Sequence, residues 1–333
     1  MKRPIRVAHG RFAITGGLSL LGEQLGRQLL EAGADHVTLI DNLAFHSVPD
    51  SPLLGDERVE LVRADVRDVE AVTAAIEGAD GVFHTAAFLT LPLARDPLLG
   101  IDVNVRGTET VLRAAVRTRV RKVVVSTSVA VYGDAVDNPI IESSPFRTVG
   151  LQPAAKLYGA SKIMTEAFCE EYGRVHGLPC VSLRYSSLYG ESQKGRGLNA
   201  MHLWEAYEQM ARGEVPELTG SATEAHDYLY SGDAARANLR AMSADVGGEA
   251  FTIATGRSTT LTDAVAVLAE LMDFPEPARF RSSSERVRFS ASETLNYDVT
   301  RAADDLGWTA EVDLRDGLSR IINQRTTTGK GRR

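Results

Sequence analysis

Short apolar runs alternate with amphipathic stretches through the first 190 or so residues. Phe12–Thr15, Val37–Ile40, Val59–Val62, Gly81–His84 with a turn to Ala87, Lys122–Ser126 and Pro179–Arg184 are brief and almost wholly apolar, and Ala250–Ala254 adds a seventh such run. Strands hydrophobic on both faces belong to parallel sheets covered on each side. Between them, apolar positions recur at helical spacing up to about Ala32, where Gly33 supplies a stop, and again over Val69–Ile76, Asn104–Thr118 and Leu157–His176. The alternation predicts an α/β fold with a doubly wound parallel sheet, whose ligands bind beyond the carboxyl ends of the strands. From about Leu188 the pattern loosens. Helical patterns persist at Met201–Gly213, Asp233–Met242, Thr262–Met272 and Leu314–Asn323, separated by loops and a basic, serine-rich stretch at Arg279–Ser292.

Composition narrows the function classes. A chain of 333 residues with 44% hydrophobic and 24% charged positions reads as ordinary globular protein, long enough for one large domain and a smaller lobe. Its formal charge of −7 argues against nucleic acid as a partner. Met1–Gly10 contains no apolar signal stretch and no run approaches 18 apolar residues, so a cytoplasmic protein is expected, with no membrane partner. Cys169 and Cys180 are expected as free buried thiols. No internal repeat or metal-ligand spacing stands out, and His84 is expected to pack or bond locally.

The polar motifs fall where the predicted strands end. Gly16-Gly17-Leu-Ser19-Leu20-Leu21-Gly22 joins the first strand to the first helix, the setting of a dinucleotide-binding turn. Gly16 permits the tight turn, Gly22 permits close helix–strand packing, and a pyrophosphate would rest on the helix N-terminus. Ser19 occupies the middle glycine position of that turn; its Cβ crowds the backbone approach, and its hydroxyl offers a hydrogen bond instead. Asp41-Asn42 ends the second strand at the distance where an acid accepts from ribose hydroxyls, which favours NAD(H) over NADP(H). Tyr158 and Lys162, four residues apart, project from one helix face. An ammonium beside a phenol favours the phenolate, a base suited to an alcohol that is losing a hydride.

With Ser126-Thr-Ser128-Val-Ala-Val-Tyr132-Gly133 added, the chain resembles the extended short-chain dehydrogenase/reductase family, in its nucleotide-sugar (NAD-dependent epimerase/dehydratase) branch of UDP-galactose 4-epimerase type. His84-x-Ala86-Ala87, Asn104 before a helix, Leu183-Arg-Tyr185-Ser-Ser187-Leu-Tyr-Gly190, Asp227-Tyr-Leu-Tyr and Leu306-Gly-Trp extend the likeness from Thr15 to about Ile322. The resemblance implies a Rossmann-type NAD-binding domain over 1–187, with segments near 221–256 returning to it. It implies a smaller C-terminal α/β substrate lobe over 188–324, and 325–333 is expected as a disordered tail. It assigns catalysis to Ser128, Tyr158 and Lys162, and the cofactor to Gly16, Gly17, Ser19, Leu20, Leu21, Gly22, Asp41, Asn42, Asp65, Val66, Ala86, Ala87, Asn104, Ser126, Tyr158, Lys162 and Tyr185. Ser187, Asn199, His226 and Arg288 are the substrate-side candidates beside Ser128. Two of these depart from the family pattern, Ser187 standing for a common Asn and His226 for a common Arg, which prefers diphosphates.

Branches of the family differ in the two positions after the Ser/Thr. A dehydratase carries Asp and Glu there, and a decarboxylase keeps the Glu, to move protons. Val129 and Ala130 cannot do so. What remains is hydride chemistry through Ser128, Tyr158 and Lys162, read as 4-epimerisation of a nucleotide-diphosphate sugar. The alternatives are a ketosugar reductase or dehydrogenase on the same residues and a non-catalytic dinucleotide sensor. The apolar helices near Asn104–Arg117 and Leu157–His176 imply a homodimer.

Overall fold

The computed structural model describes residues 4–44, 51–191, 198–281 and 294–330. From the amino terminus, β1 (Arg11–Thr15) leads through the glycine turn into α1 (Leu20–Glu31), followed by β2 (His36–Asp41), β3 (Val59–Arg63), α2 (Val69–Ala75) and β4 (Gly81–His84). Two short helices, α3 (Thr90–Arg95) and α4 (Pro97–Ile101), precede a π-helical turn at Asp102–Arg106 and α5 (Gly107–Arg117). Then come β5 (Lys122–Ser128), α6 (Pro153–His176) and β6 (Cys180–Tyr185). The remaining elements are β7 (Ser187–Tyr189), α7 (Leu198–Ala211), β8 (Glu217–Thr219), β9 (Ala225–His226), β10 (Tyr228–Tyr230), α8 (Ser231–Ser243), β11 (Ala250–Ile253), β12 (Thr259–Thr260), α9 (Leu261–Leu271), β13 (Arg279–Arg281), α10 (Thr300–Leu306) and α11 (Leu314–Lys330).

Seven parallel strands form one sheet in the order β11-β6-β5-β4-β1-β2-β3. This is the Rossmann-type order, in which strand succession reverses between β1 and β4 and opens a crevice at their carboxyl ends. Each face has its own core. Phe12, Ile14, Leu39 and Val124 pack with Leu21, Leu25 and Leu29 of α1 and with the alanines of α8. Ala13, Ile40, Val82, Val123 and Val125 pack with α5 and Cys169 of α6. Buried valines and leucines contribute roughly 1.5–3 kcal/mol each, so the crevice is built on a well-packed core. Both cysteines are buried, and they are not joined in a disulfide.

Three two-stranded pairs, β10-β7, β12-β9 and β13-β8, hold the smaller lobe around Tyr189, Trp204, Tyr228 and Leu268. Its last helix, α11, runs to Lys330, so 325–330 continue a helix where a disordered tail was expected. Extension costs little once Leu318 and Ile321 have anchored the preceding turns. The helix expected to start at Asn104 instead follows α4 through the π-helical turn, placing Asn104 inside the irregular segment. Among the described residues, no helix is long and apolar enough to cross a membrane, and no group of three or more His, Cys, Asp or Glu side chains is placed to hold a metal ion.

Candidate active site

The turn after β1 is packed backbone against backbone. Gly16 has φ +66°, and a Cβ there would lie 2.9 Å from Ala86 Cα. A Cβ on Gly22 would lie 2.3 Å from the Gly16 carbonyl oxygen, so only hydrogen lets α1 dock on the turn. Ser19 is the N-cap of α1: φ is −74° and its hydroxyl accepts from the Gly22 N–H at 3.1 Å. A negative φ needs no glycine, and the side chain completes the cap with its own O–H still available to donate. Among the described residues, nothing in the chain accepts from the N–H groups of Leu20 and Leu21, the first two helical positions. Two free donors at the positive end of a 12-residue helix fit a pyrophosphate.

Asp41 is buried at the end of β2 and accepts from the Leu18 and Leu43 N–H groups at 3.2 and 2.9 Å. Each carboxylate oxygen keeps further acceptor capacity, as a ribose contact requires. Asn42 Nδ2 donates to Asp65 Oδ2 at 3.3 Å, and Arg67 grips Asp65 with Nε and Nη2, both at 2.8 Å. The Arg67 guanidinium holds the Asp65 carboxyl down at about 2. Val66 is buried against the position of Gly107 on α5. Ala86 and Ala87 follow β4, the Ala86 N–H reaching Thr15 Oγ1 at 3.3 Å.

Asn104 has its side chain fully committed. Its Oδ1 accepts from the Phe88 N–H at 2.7 Å, and its Nδ2 donates to the Phe88 carbonyl and Ser161 Oγ at 3.0 and 3.1 Å. It therefore ties the loop after β4 to α6. His84 bonds Thr15 Oγ1 and Thr108 Oγ1 at 2.7 and 3.1 Å, and burial pushes its imidazole down to about 3, so it stays neutral.

Ser128 ends β5 and caps a 3₁₀ turn at Val129–Tyr132. Tyr158 and Lys162 face it from α6. The Lys162 Nζ donates to the Ser126 carbonyl at 3.0 Å and lies 5.8 Å from the centroid of the Tyr158 ring. Burial pushes the Tyr158 phenol up to about 12, opposed by the Ser128 hydroxyl beside it. Burial pushes Lys162 down to about 8, opposed by Glu166. Both groups are thus drawn toward their neutral forms in the protein alone. A cationic ring held beside them would favour the phenolate and further disfavour the ammonium.

Tyr185, a cofactor-side candidate, closes β6. It is buried in the core, and its hydroxyl accepts from Asn238 Nδ2 on α8 at 2.7 Å. On the substrate side, Ser187 is buried in β7 and its N–H bonds the Asp227 carbonyl. His226 is buried in β9, with Nε2 3.1 Å from Glu224 Oε1. Asn199 belongs to α7, and Arg288 lies outside the described residues. A polar network escaped the sequence reading. Glu166 and Arg184 form a bidentate ion pair behind Lys162, at 2.9 and 2.7 Å. Asp227 accepts from Ser186, Thr255 and Arg257. Helical spacing signals Glu166, one turn past Lys162, whereas nothing local signals Arg184.

Comparison with known proteins agrees with this architecture. The NAD dependent epimerase/dehydratase family matches residues 12–254. A protein named as a putative UDP-glucose 4-epimerase of Methanocaldococcus jannaschii is 28% identical over 313 residues, covering 93% of this chain and 96% of that protein. The UDP-glucose 4-epimerase of Azospirillum brasilense is 30% identical over 331 residues, covering 94% and 91%. The crystal structure of Thermotoga maritima UDP-glucose 4-epimerase with UDP-glucose superposes with a TM-score of 0.84 at 26% identity, covering 96% of this chain and 99% of that one.

Proposed function

Because the chain belongs to the NAD dependent epimerase/dehydratase family, we propose that it interconverts C4 epimers of a nucleotide-diphosphate sugar, with UDP-glucose and UDP-galactose the first pair to try. NAD is its cofactor, and when bound it supplies the hydride acceptor and then the hydride donor. The glycine turn, the free Leu20 and Leu21 N–H groups, Asp41 and Asp65 are the residues that would hold it. The reading is carried by the meeting of Ser128, Tyr158 and Lys162, with only Val129 and Ala130 following Ser128.

In this reading Tyr158 removes the proton of the sugar 4-hydroxyl as C4 is oxidised to a ketone. Ser128 donates to the same oxygen, and Lys162 supports the phenolate. After the sugar presents its other face, Tyr158 returns the proton to the oxygen. No acid or base is needed at C5 or C6, and Val129 and Ala130 offer none. Relatives named as UDP-glucose 4-epimerases support the same class of substrate.

The test begins with the purified protein, denatured and assayed for nicotinamide dinucleotide. About one NAD(H) per chain, with turnover of a C4-epimeric pair that Tyr158→Phe abolishes while NAD(H) stays bound, is the expected result. An empty site that binds NADH or NADPH reversibly and reduces a ketosugar would replace this reading with a reductase. Turnover surviving Tyr158→Phe would remove Tyr158 from the chemistry.

A further inference from the structure

Tyr158, Lys162 and Glu166 stand at successive i+4 positions of α6, so their side chains form one stripe. Glu166 is not a solvated end to that stripe. Its carboxylate and the Arg184 guanidinium are 10% and 12% exposed and bonded through two N–H groups. Thr127 Oγ1, one residue before Ser128, donates to Glu166 Oε1 at 3.0 Å. Arg184 Nη1 donates onward to the Tyr132 hydroxyl at 3.1 Å and the Glu142 carbonyl at 2.8 Å, and the guanidinium lies 5.1 Å from the Tyr132 ring centroid. The pair thus joins α6 to β5, to β6 and to the turn that follows Ser128.

A buried ion pair is a poor stabiliser when compared with apolar residues of the same volume, because desolvating two charges offsets their attraction. Its placement one helical turn behind the lysine suggests another use. The groups that face Lys162 are the Tyr158 ring and Cys169 from its own helix, the Ser126 carbonyl from β5 and the neutral His84 from β4. Beside these, Glu166 is the carboxylate that favours the ammonium, from one turn further along α6.

We propose that Glu166 is a positioning residue for the reaction: clamped by Arg184 and Thr127, it keeps Lys162 in its charged form inside a buried seat and so sets the upper pH bound of turnover. The proposal rests on the Tyr158–Lys162 reading above. Arg184 contributes by fixing the direction of the Glu166 carboxylate, and Thr127 couples that carboxylate to the strand that presents Ser128.

The experiment is the pH profile of kcat/KM, with NAD(H) content and unfolding measured on the same preparations. In Glu166→Gln the alkaline limb moves to lower pH by about one unit, the low end for losing an opposite charge at this range. The rise of stability with pH that the buried lysine causes also begins about one unit lower. Glu166→Asp keeps the charge and restores the limb. If the single variant does not fold, the Glu166→Gln/Arg184→Gln protein leaves no charge buried alone, and its limb moves in the same direction. A rate lowered by one factor at every pH, with the limb unmoved, overturns the proposal and leaves the pair as packing. Failure of the underlying reading is separate: it shows as turnover in Tyr158→Phe, whatever Glu166→Gln does.

Discussion

Gly22→Ala tests whether the cofactor turn depends on helix–strand contact at one hydrogen atom. The added Cβ would lie 2.3 Å from the Gly16 carbonyl oxygen, 2.7 Å from that of Gly17 and 2.8 Å from Gly17 carbonyl carbon, where ordinary contact begins at 3.4 Å. All three atoms are backbone, so no rotamer relieves the clash, and α1 must retreat from the turn by about 1 Å. Overpacking of this kind costs about 1–3 kcal/mol. The retreat also breaks the Ser19 cap on the Gly22 N–H, about 1 kcal/mol more, while alanine's helix propensity returns about 1 kcal/mol. The net loss is about 1–3 kcal/mol by urea unfolding. The free Leu20 and Leu21 N–H groups move with the helix, and losing one charge-assisted bond to phosphate costs about 1.5–3 kcal/mol, or roughly 10- to 150-fold in NAD affinity. Gly26→Ala is the control on the same helix. Its Cβ meets Leu53 Cδ1 at 2.8 Å, the far end of a side chain that can swing away. It is expected to leave NAD binding intact. Gly22→Ala protein that unfolds within 0.5 kcal/mol of the parent and retains one NAD(H) per chain would refute the reasoning.

Lys122 and Lys162 each hold their proton less tightly in the folded chain, at about 8 against 10.5. The unfolded chain therefore binds more protons between those values, and stability rises as pH goes from 8 toward 10; Lys122→Met removes about half of that rise in pH-dependent unfolding. Above pH 10 the trend reverses, since Tyr158, among other buried phenols, stays protonated in the fold when its unfolded counterpart ionises. The Asp65 carboxyl, 29% exposed, falls from 3.8 to about 2 on folding, so its contribution is present above pH 4 and is lost as pH falls through 2. Asp65→Asn should cost about 2 kcal/mol at pH 7 and flatten the acid side of the stability curve. Leu98, Leu157 and Met164 are exposed on α4 and α6 at 85%, 39% and 46%. A homodimer formed through α5 and α6 would cover Leu157 and Met164, and Leu157→Glu/Met164→Glu is expected to dissociate it; light scattering from the parent chain at a single species near its 36.0 kDa mass would rule the dimer out.

The sheet was legible because its strands are apolar on both faces, a pattern that surface loops and amphipathic helices do not imitate. Val123–Val125 and Val82–Phe83 needed no partner to be recognised, and the partners followed from alternation with helices. The short helices α3 and α4 were not legible. Pro92, Pro97 and Gly100 lower local propensity, and what holds these turns is packing against α6, which no window of sequence contains. The chemistry divides in the same way. Gly16, Gly22 and the Tyr158–Lys162 pair announce themselves because each depends on spacing within one turn or one helix. Ser19 showed as a departure, but that its hydroxyl caps α1 at ordinary φ depends on the backbone it sits in.

Asn104 and Tyr185 mark the limit of reading roles by position. Both fall where cofactor contacts were expected. Asn104 instead spends its whole amide on Phe88 and Ser161, and Tyr185 turns its hydroxyl to Asn238. The Asn104 amide is matched within the chain, whereas Tyr185 accepts one bond and keeps its own O–H donor and its ring. Glu166 is the sharpest instance. Its spacing from Lys162 could be read from the chain, but spacing alone does not separate a solvated carboxylate from a buried one. Arg184, 18 residues further on in β6, makes that distinction by burying the carboxylate and fixing its direction. In the proposed role, that burial is what lets the charge behind the lysine act with little screening by water.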